Sequence, residues 1–178
     1  YPDVIVGRAP ASNLTKVETF VNKSLLYQIH PVTAHLTYML LAGEYLWPGH
    51  DSGILKDYIY SSFVFPLFPN YTRLYESLGN LNKTNFGNAL NQGQGITNHC
   101  GHGNIDVISI GPSSWYNSDM DALNNGGKLG LFYTYACISN AIDFDCLGEH
   151  FVNNPNGGGF AYVGNSRYGW GIPGYPLE

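Results

Sequence analysis

The sequence predicts an α/β fold built on a mainly parallel sheet. Three observations carry the prediction. Short apolar runs alternate with amphipathic stretches along the chain, and strands alternating with helices build parallel sheets covered on both faces. The run at 129–136 is nearly continuous in apolar residues, as expected of a strand buried on both sides. No internal repeat and no linker composition interrupts the 178 residues. They read as one domain, or as a compact part of something larger.

The elements follow in order. Val4-Ile5-Val6 is a first apolar run, closed by Gly7. Ser12 or Asn13 suits a helix cap, and Leu14, Val17, Phe20, Val21 and Leu25 follow at helical spacing, so 13–28 is read as a helix. A second strand spans 36–42 and ends at Gly43-Glu44. A helix over 53–61 leads to a short third apolar run, Phe63-Val64-Phe65, and Pro66 and Pro69 interrupt the chain after it. Residues 84–92 read as a short helix. A strand from Gly95 to Asn98 runs into Cys100-Gly101-His102-Gly103. The Ser/Asn/Gly-rich stretch 104–128 reads as a loop within the domain, with a short helix near 117–124; long loops of this kind are often functional. The strand at 129–136 stops at Cys137, a helix is expected over 141–153, and a last strand covers 159–163 before a Gly/Tyr/Trp loop.

Composition removes several function classes. Hydrophobic residues make up 44%, with 14 Tyr and 9 Phe, so the chain is not a disordered tail. Lys and Arg number 8 against a net charge of −5, which argues against a nucleic-acid partner. No apolar run approaches the ~20 residues of a membrane span, and no signal-peptide pattern opens the chain. An exported protein would therefore be a processed or trimmed form. Charged residues are only 12%, so the surface relies on uncharged polar groups. Four N-x-[ST] sequons begin at Asn13, Asn22, Asn70 and Asn82. Together these features suggest an extracellular or cell-surface glycoprotein. Cys100, Cys137 and Cys146 make an odd count, which leaves at least one thiol free.

Three strand ends carry polar or reactive groups: Glu44, His102 and Cys137. In a parallel sheet, ligand sites lie at the carboxyl ends of the strands. A thiol becomes a strong nucleophile as the thiolate, an imidazole can take its proton, and a carboxylate can orient that imidazole. The Gly103 and Cys137 N–H groups could face a developing oxyanion. Each residue also has a plain structural role open to it: a His beside Gly sits in turns, and a Cys after an apolar strand packs in cores. A metal site is the alternative use of His99, Cys100 and His102, or of Cys146 with His150. A strand over 95–100 would turn His99 and Cys100 to opposite faces, which disfavours zinc. No cofactor is expected; a structural calcium stays open, although no motif marks one.

Gly101-His102-Gly103, and Ala136-Cys137 after an apolar strand, resemble the motif pair of caspase-like cysteine peptidases. The opening Pro2-Asp3-Val4-Ile5-Val6-Gly7-Arg8 and the block Asn98-His99-Cys100-Gly101-His102-Gly103 narrow the resemblance to the gingipain-like peptidase family C25. Cys137-Ile138-Ser139, Cys146-Leu147-Gly148-Glu149 and Gly159-Phe160-Ala161-Tyr162-Val163-Gly164-Asn165-Ser166 carry it further. The resemblance implies a caspase-like three-layer sandwich and a secreted endopeptidase acting on peptides or proteins. It implies Cys137 as nucleophile, His102 as base and Glu44 as the acid orienting it, with an oxyanion hole at Gly103 and Cys137. Gingipains cleave after Arg or Lys using an acid in the pocket; the candidates here are Asp51 and, by spacing, Asp57. Trp170 would line the substrate pocket, with Ser166 beside it. A gingipain catalytic unit also has an amino-terminal subdomain and an immunoglobulin-like domain. The chain is accordingly expected to be a catalytic part of something longer that assembles with further domains or copies of itself. Two rivals share the scaffold: a silent binding or fibre-forming surface module, and a transpeptidase that resolves the thioester with an amine.

Overall fold

The structure is a computed structural model that describes residues 7–169. The strands described are, in chain order, β1 (Tyr38–Gly43), β2 (Tyr45–Trp47), β3 (His50–Asp51), β4 (Asn70–Tyr75), β5 (Ile96–Cys100), β6 (Gly103–Asn104), β7 (Val107–Ile110), β8 (Ser113–Tyr116), β9 (Leu131–Thr134) and β10 (Ala161–Val163). The helices are α1 (Leu14–Ile29), α2 (Ser52–Ile59), α3 (Lys83–Gln92), α4 (Asn117–Asp121) and α5 (Leu147–Asn153).

β1 sits inside a five-stranded sheet of order β10-β9-β5-β1-β4, parallel throughout. Its side chains alternate between two cores. Leu40 and Ala42 join one, with Phe86 and Leu90 of α3, Leu147 and Phe151 of α5, and Phe132 of β9. Met39 and Leu41 join the other, with Tyr60 and Tyr75. A strand covered on both faces has no solvent-facing position, which is why its sequence is almost wholly apolar. Helices on each face complete the three layers of the predicted sandwich. Three helices begin at residues whose side chains satisfy an otherwise unpaired N–H. Asn13 accepts from Lys16 N at 2.9 Å, Asp51 from Gly53 N at 2.8 Å, and Asn82 from Asn85 N at 3.0 Å.

Several elements differ from the sequence reading. Phe63-Val64-Phe65 is not a strand: it lies in and beside a π-helical turn over Tyr60–Val64, with Phe63 and Phe65 exposed. The edge of the sheet is instead β4, where polar and apolar residues mix because an edge strand meets solvent. The predicted loop after Gly103 holds a three-stranded antiparallel meander, β6-β7-β8. Ile108 and Ile110 bury one of its faces, and Gly111 turns the chain with φ +67° between Ile110 and its partner Ser113. The helix expected over 141–153 is confined to α5, with Ile142 and Phe144 exposed ahead of it. The first expected strand, Val4 to Val6, lies outside the described residues.

α1 forms where predicted but faces the opposite way. Leu14, Val17, Val21 and Leu25, which mark the helix in sequence, are all exposed. The buried anchor is Lys23. Its ammonium donates to the carbonyls of Phe151, Val152, Asn154 and Gly157, at 3.3, 2.9, 3.2 and 2.8 Å. It thereby caps the carboxyl end of α5, where unpaired carbonyls favour a cation.

Candidate active site

β9, β5 and β1 are neighbours and parallel, so their carboxyl ends open onto one edge. The register ties them closely: Gly43 pairs with Cys100, and His99 with Thr134. The chain leaves that edge as Glu44 from β1, as Gly101-His102-Gly103 from β5, and as Cys137 from β9. Gly103 lies directly against the cysteine segment. A Cβ on Gly103 would stand 2.8 Å from Ala136 Cβ and 3.1 Å from the Cys137 carbonyl oxygen, so only glycine lets the two segments approach this closely.

His102 is exposed, yet three contacts hold it. Its N–H donates to Glu44 Oε1 at 2.6 Å, and its carbonyl accepts the Ser109 N–H at 2.8 Å. Its ring Nε2 lies 2.8 Å from the carbonyl oxygen of Leu46, in the β2–β3 hairpin. A carbonyl can only accept, so the neutral ring carries its proton on Nε2 and its lone pair on Nδ1. Nδ1 is therefore the nitrogen able to take a proton.

Glu44 is 2% exposed. Burial raises its pKa, while the Ser109 hydroxyl and the N–H groups of His102 and Gly111 oppose that by binding the anion. Glu44 was expected to orient the imidazole. It grips the main chain of His102 instead, and a backbone carbonyl, which leaves no mark in sequence, holds the ring.

Cys137 is half-buried, and its Sγ accepts the Gly169 N–H at 3.3 Å. The next residue, Ile138, sits at φ +58°, a region that a β-branched residue enters only at a cost of about 1–2 kcal/mol. The strain is held by Ile138 N donating to the Arg167 carbonyl at 2.8 Å. Asn165 Nδ2 reaches the carbonyls of Tyr135 and Ala136, at 2.8 and 3.3 Å, and Arg167 forks onto Asp143. The segment 164–169 thus clasps the cysteine turn. Ser166 lies exposed within it, and Trp170 lies outside the described residues. The other two cysteines, Cys100 and Cys146, form no disulfide and are buried, and burial raises the Cys146 pKa.

Asp57 lies on α2, against β4. Its two oxygens accept from Tyr75 Oη at 2.8 Å and Arg73 Nη1 at 3.2 Å. Both partners lie on β4, three strand positions from β9, or ~14 Å at the usual spacing. Its charge is already matched by Arg73. Asp51 caps α2 and pairs in register with Tyr45, on the hairpin that holds His102. His99 is buried with both ring nitrogens engaged, and His150 is bound by Asp121 and Asp145. Among the described residues no group of three or more His, Cys, Asp or Glu side chains could hold a metal ion. Of the sequon asparagines, Asn13, Asn22 and Asn70 are exposed and Asn82 is half-buried.

A parallel sheet between helical layers, with a thiol and an imidazole at its carboxyl edge, defines a caspase-like class of fold. The sequence matches the family model of peptidase family C25 over residues 1–177, and the chain belongs to that family. The crystal structure of the Arg specific cysteine proteinase gingipain R is similar at TM-score 0.79 and 16% identity, covering 95% of this chain and 44% of that one. The complex of Porphyromonas gingivalis RgpB pro- and mature domains is similar at TM-score 0.77 and 15% identity, covering 94% and 42%. A structure described only as a protease gives TM-score 0.77 and 23% identity, covering 90% and 36%. At such identities the likeness is one of fold. The chain spans less than half the length of each of these proteins. No curated protein matches it.

Proposed function

We propose that this chain is the catalytic part of an extracellular cysteine endopeptidase. The single observation that carries the reading is the close approach of the histidine turn to the cysteine turn. Gly103 abuts Cys137, while the Leu46 carbonyl leaves Nδ1 of His102 as the basic nitrogen. Cys137 passes its thiol proton to that nitrogen. The thiolate attacks the carbonyl carbon of the scissile peptide bond, and the oxyanion collects at the N–H groups of Gly103 and Cys137. The imidazolium then protonates the departing amine, leaving a thioester on Cys137. Water gives a proton to His102 and attacks the thioester; the acid leaves and the proton returns to sulfur. Throughout, the Nε2–H keeps its bond to Leu46.

Cleavage after Arg or Lys draws less support from Asp57, whose carboxylate is bound by Arg73 and Tyr75. Asp51, on the hairpin beside His102, is the better-placed acid. Export and glycosylation draw support from the exposed sequons and the low charge. Among the described residues no helix is long and apolar enough to cross a membrane.

A second reading, a silent surface-assembly module, draws on the exposed apolar stripe of α1. Treatment with a peptidyl acyloxymethyl ketone separates the two. The peptidase reading expects covalent capture at Cys137, lost in His102→Ala, with Cys100 and Cys146 unlabelled. Absence of capture, or equal capture in His102→Ala, would contradict it.

A further inference from the structure

We propose that Thr134 and His99 are positioning residues, which lock the cysteine turn to the histidine turn through a hydrogen-bond path beneath the sheet edge. The inference rests on the peptidase reading and assigns these two side chains a part in it. The path starts one residue before the nucleophile. Ala136 N donates to Thr134 Oγ1 at 3.0 Å, and Thr134 Oγ1 lies 2.8 Å from His99 Nδ1. His99 Nε2 lies 2.8 Å from the Ser109 carbonyl oxygen. Ser109 then holds His102 on both sides. Its N–H donates to the His102 carbonyl at 2.8 Å, and its hydroxyl binds Glu44, which takes the His102 N–H at 2.6 Å.

The polarity of this path is fixed. The Ser109 carbonyl only accepts, so His99 must donate through Nε2 and accept through Nδ1. Thr134 must therefore donate its hydroxyl proton to Nδ1 while its oxygen accepts from Ala136. That arrangement needs a neutral His99. Burial supplies one, holding the ring down to about 3. Gly101 leaves room for the link: a Cβ there would stand 2.8 Å from the Ser109 carbonyl oxygen and 2.9 Å from His99 Nε2. Simple core packing would need neither this polarity nor two polar side chains on adjacent strands. Buried networks that are fully paired fix the geometry of what they touch, and misplacing a reacting group by ~1 Å can lower a rate by ~100-fold.

Thr134→Val keeps the shape of the side chain and removes the hydroxyl. Two readouts report on it: the pH dependence of Cys137 alkylation by iodoacetamide, read by mass mapping, and peptide hydrolysis. Thr134→Val should move the pH midpoint of Cys137 alkylation away from the parental one. It should also lower kcat by ~10- to 100-fold while leaving KM within about twofold. Thr134→Ser should restore the parental profile. Ser109→Ala, which keeps all main-chain links, should shift it in the same direction as Thr134→Val and reports independently if the valine variant folds poorly. If folded Thr134→Val or Ser109→Ala shows the parental midpoint and kcat, the path has only a structural role and the inference falls. If the parent itself cleaves nothing, the peptidase reading falls and the inference with it. A loss of stability alone, with an unchanged alkylation profile, also counts against it.

Discussion

His99 and His102 are three residues apart on one strand end, yet they sit in different chemical layers. His99 lies beneath the edge with both ring nitrogens bonded and burial pushing it down to about 3. It stays neutral and directional at any ordinary pH. His102 lies on the edge, exposed, with one ring nitrogen held by the Leu46 carbonyl. The cysteines divide the same way: Cys100 and Cys146 are buried, while Cys137 reaches the surface beside a donor N–H. The upper layer is open to solvent and only partly bonded, whereas His99 below it is buried and bonded at both nitrogens.

The largest expected effect comes from the upper layer. Cys137→Ala or His102→Ala should reduce peptide cleavage by ~1,000-fold or more. The melting temperature should move little, since His102 is exposed and Cys137→Ala removes a single half-buried sulfur. A large fall in stability for either variant would dissolve the contrast between layers.

Gly103→Ala crosses the boundary. Its methyl would meet Ala136 Cβ and the Cys137 carbonyl. Forced separation of the two turns should reduce cleavage by ~100-fold and destabilise the fold by about 1–3 kcal/mol. Parental activity would mean that the turns need not touch.

The lower layer should show in acid. The His99 pKa in the folded state lies below its unfolded value, so the unfolded chain binds the extra proton first. Its contribution is fully present above about 6.5 and is lost as pH falls toward about 3. Glu44 has the opposite sign. Its raised pKa favours the folded state below about 4.5, and that contribution is lost as pH rises through the folded value. Urea midpoints measured from pH 7 to pH 4 should therefore fall less steeply in His99→Gln than in the parent, and more steeply in Glu44→Gln. Parallel curves for all three proteins would contradict both assignments.

The smallest effect belongs to Asp57, whose carboxylate is already bound by Arg73 and Tyr75. Asp57→Asn gives up a half-exposed pair with Arg73, worth less than ~1 kcal/mol. Its preference among Arg, Lys and neutral peptides should match the parent's. Loss of Arg and Lys cleavage alone would return Asp57 to the pocket.

The legible parts of the sequence were those with a local signature. Unbroken apolar runs gave β1 and β9, and Asn13 and Asn82 marked helix starts by their capping chemistry. The three strand ends Glu44, His102 and Cys137 follow once the sheet is parallel. β4 was hidden because an edge strand mixes Tyr and Arg with Leu, which weakens any alternation. The meander was hidden by its Ser and Gly content, although Ile108, Ile110 and the Gly111-Pro112 turn were there to read. The stripe on α1 gave the helix but the wrong face, because Lys23, a residue expected at the surface, provides the anchor. Leu46 and Gly169 act through main-chain groups, and no side-chain pattern announces those. Asp57 was picked by spacing along the chain, which does not report that α2 sets its carboxylate against Arg73 and Tyr75 of β4.

The most direct test of the central claim is digestion of a diverse peptide library by the parent and by Cys137→Ala, with every new terminus read by mass spectrometry. Internal cleavages made by the parent and absent from the variant are the predicted result. Identical digests from both proteins, whether cleaved or intact, would contradict it.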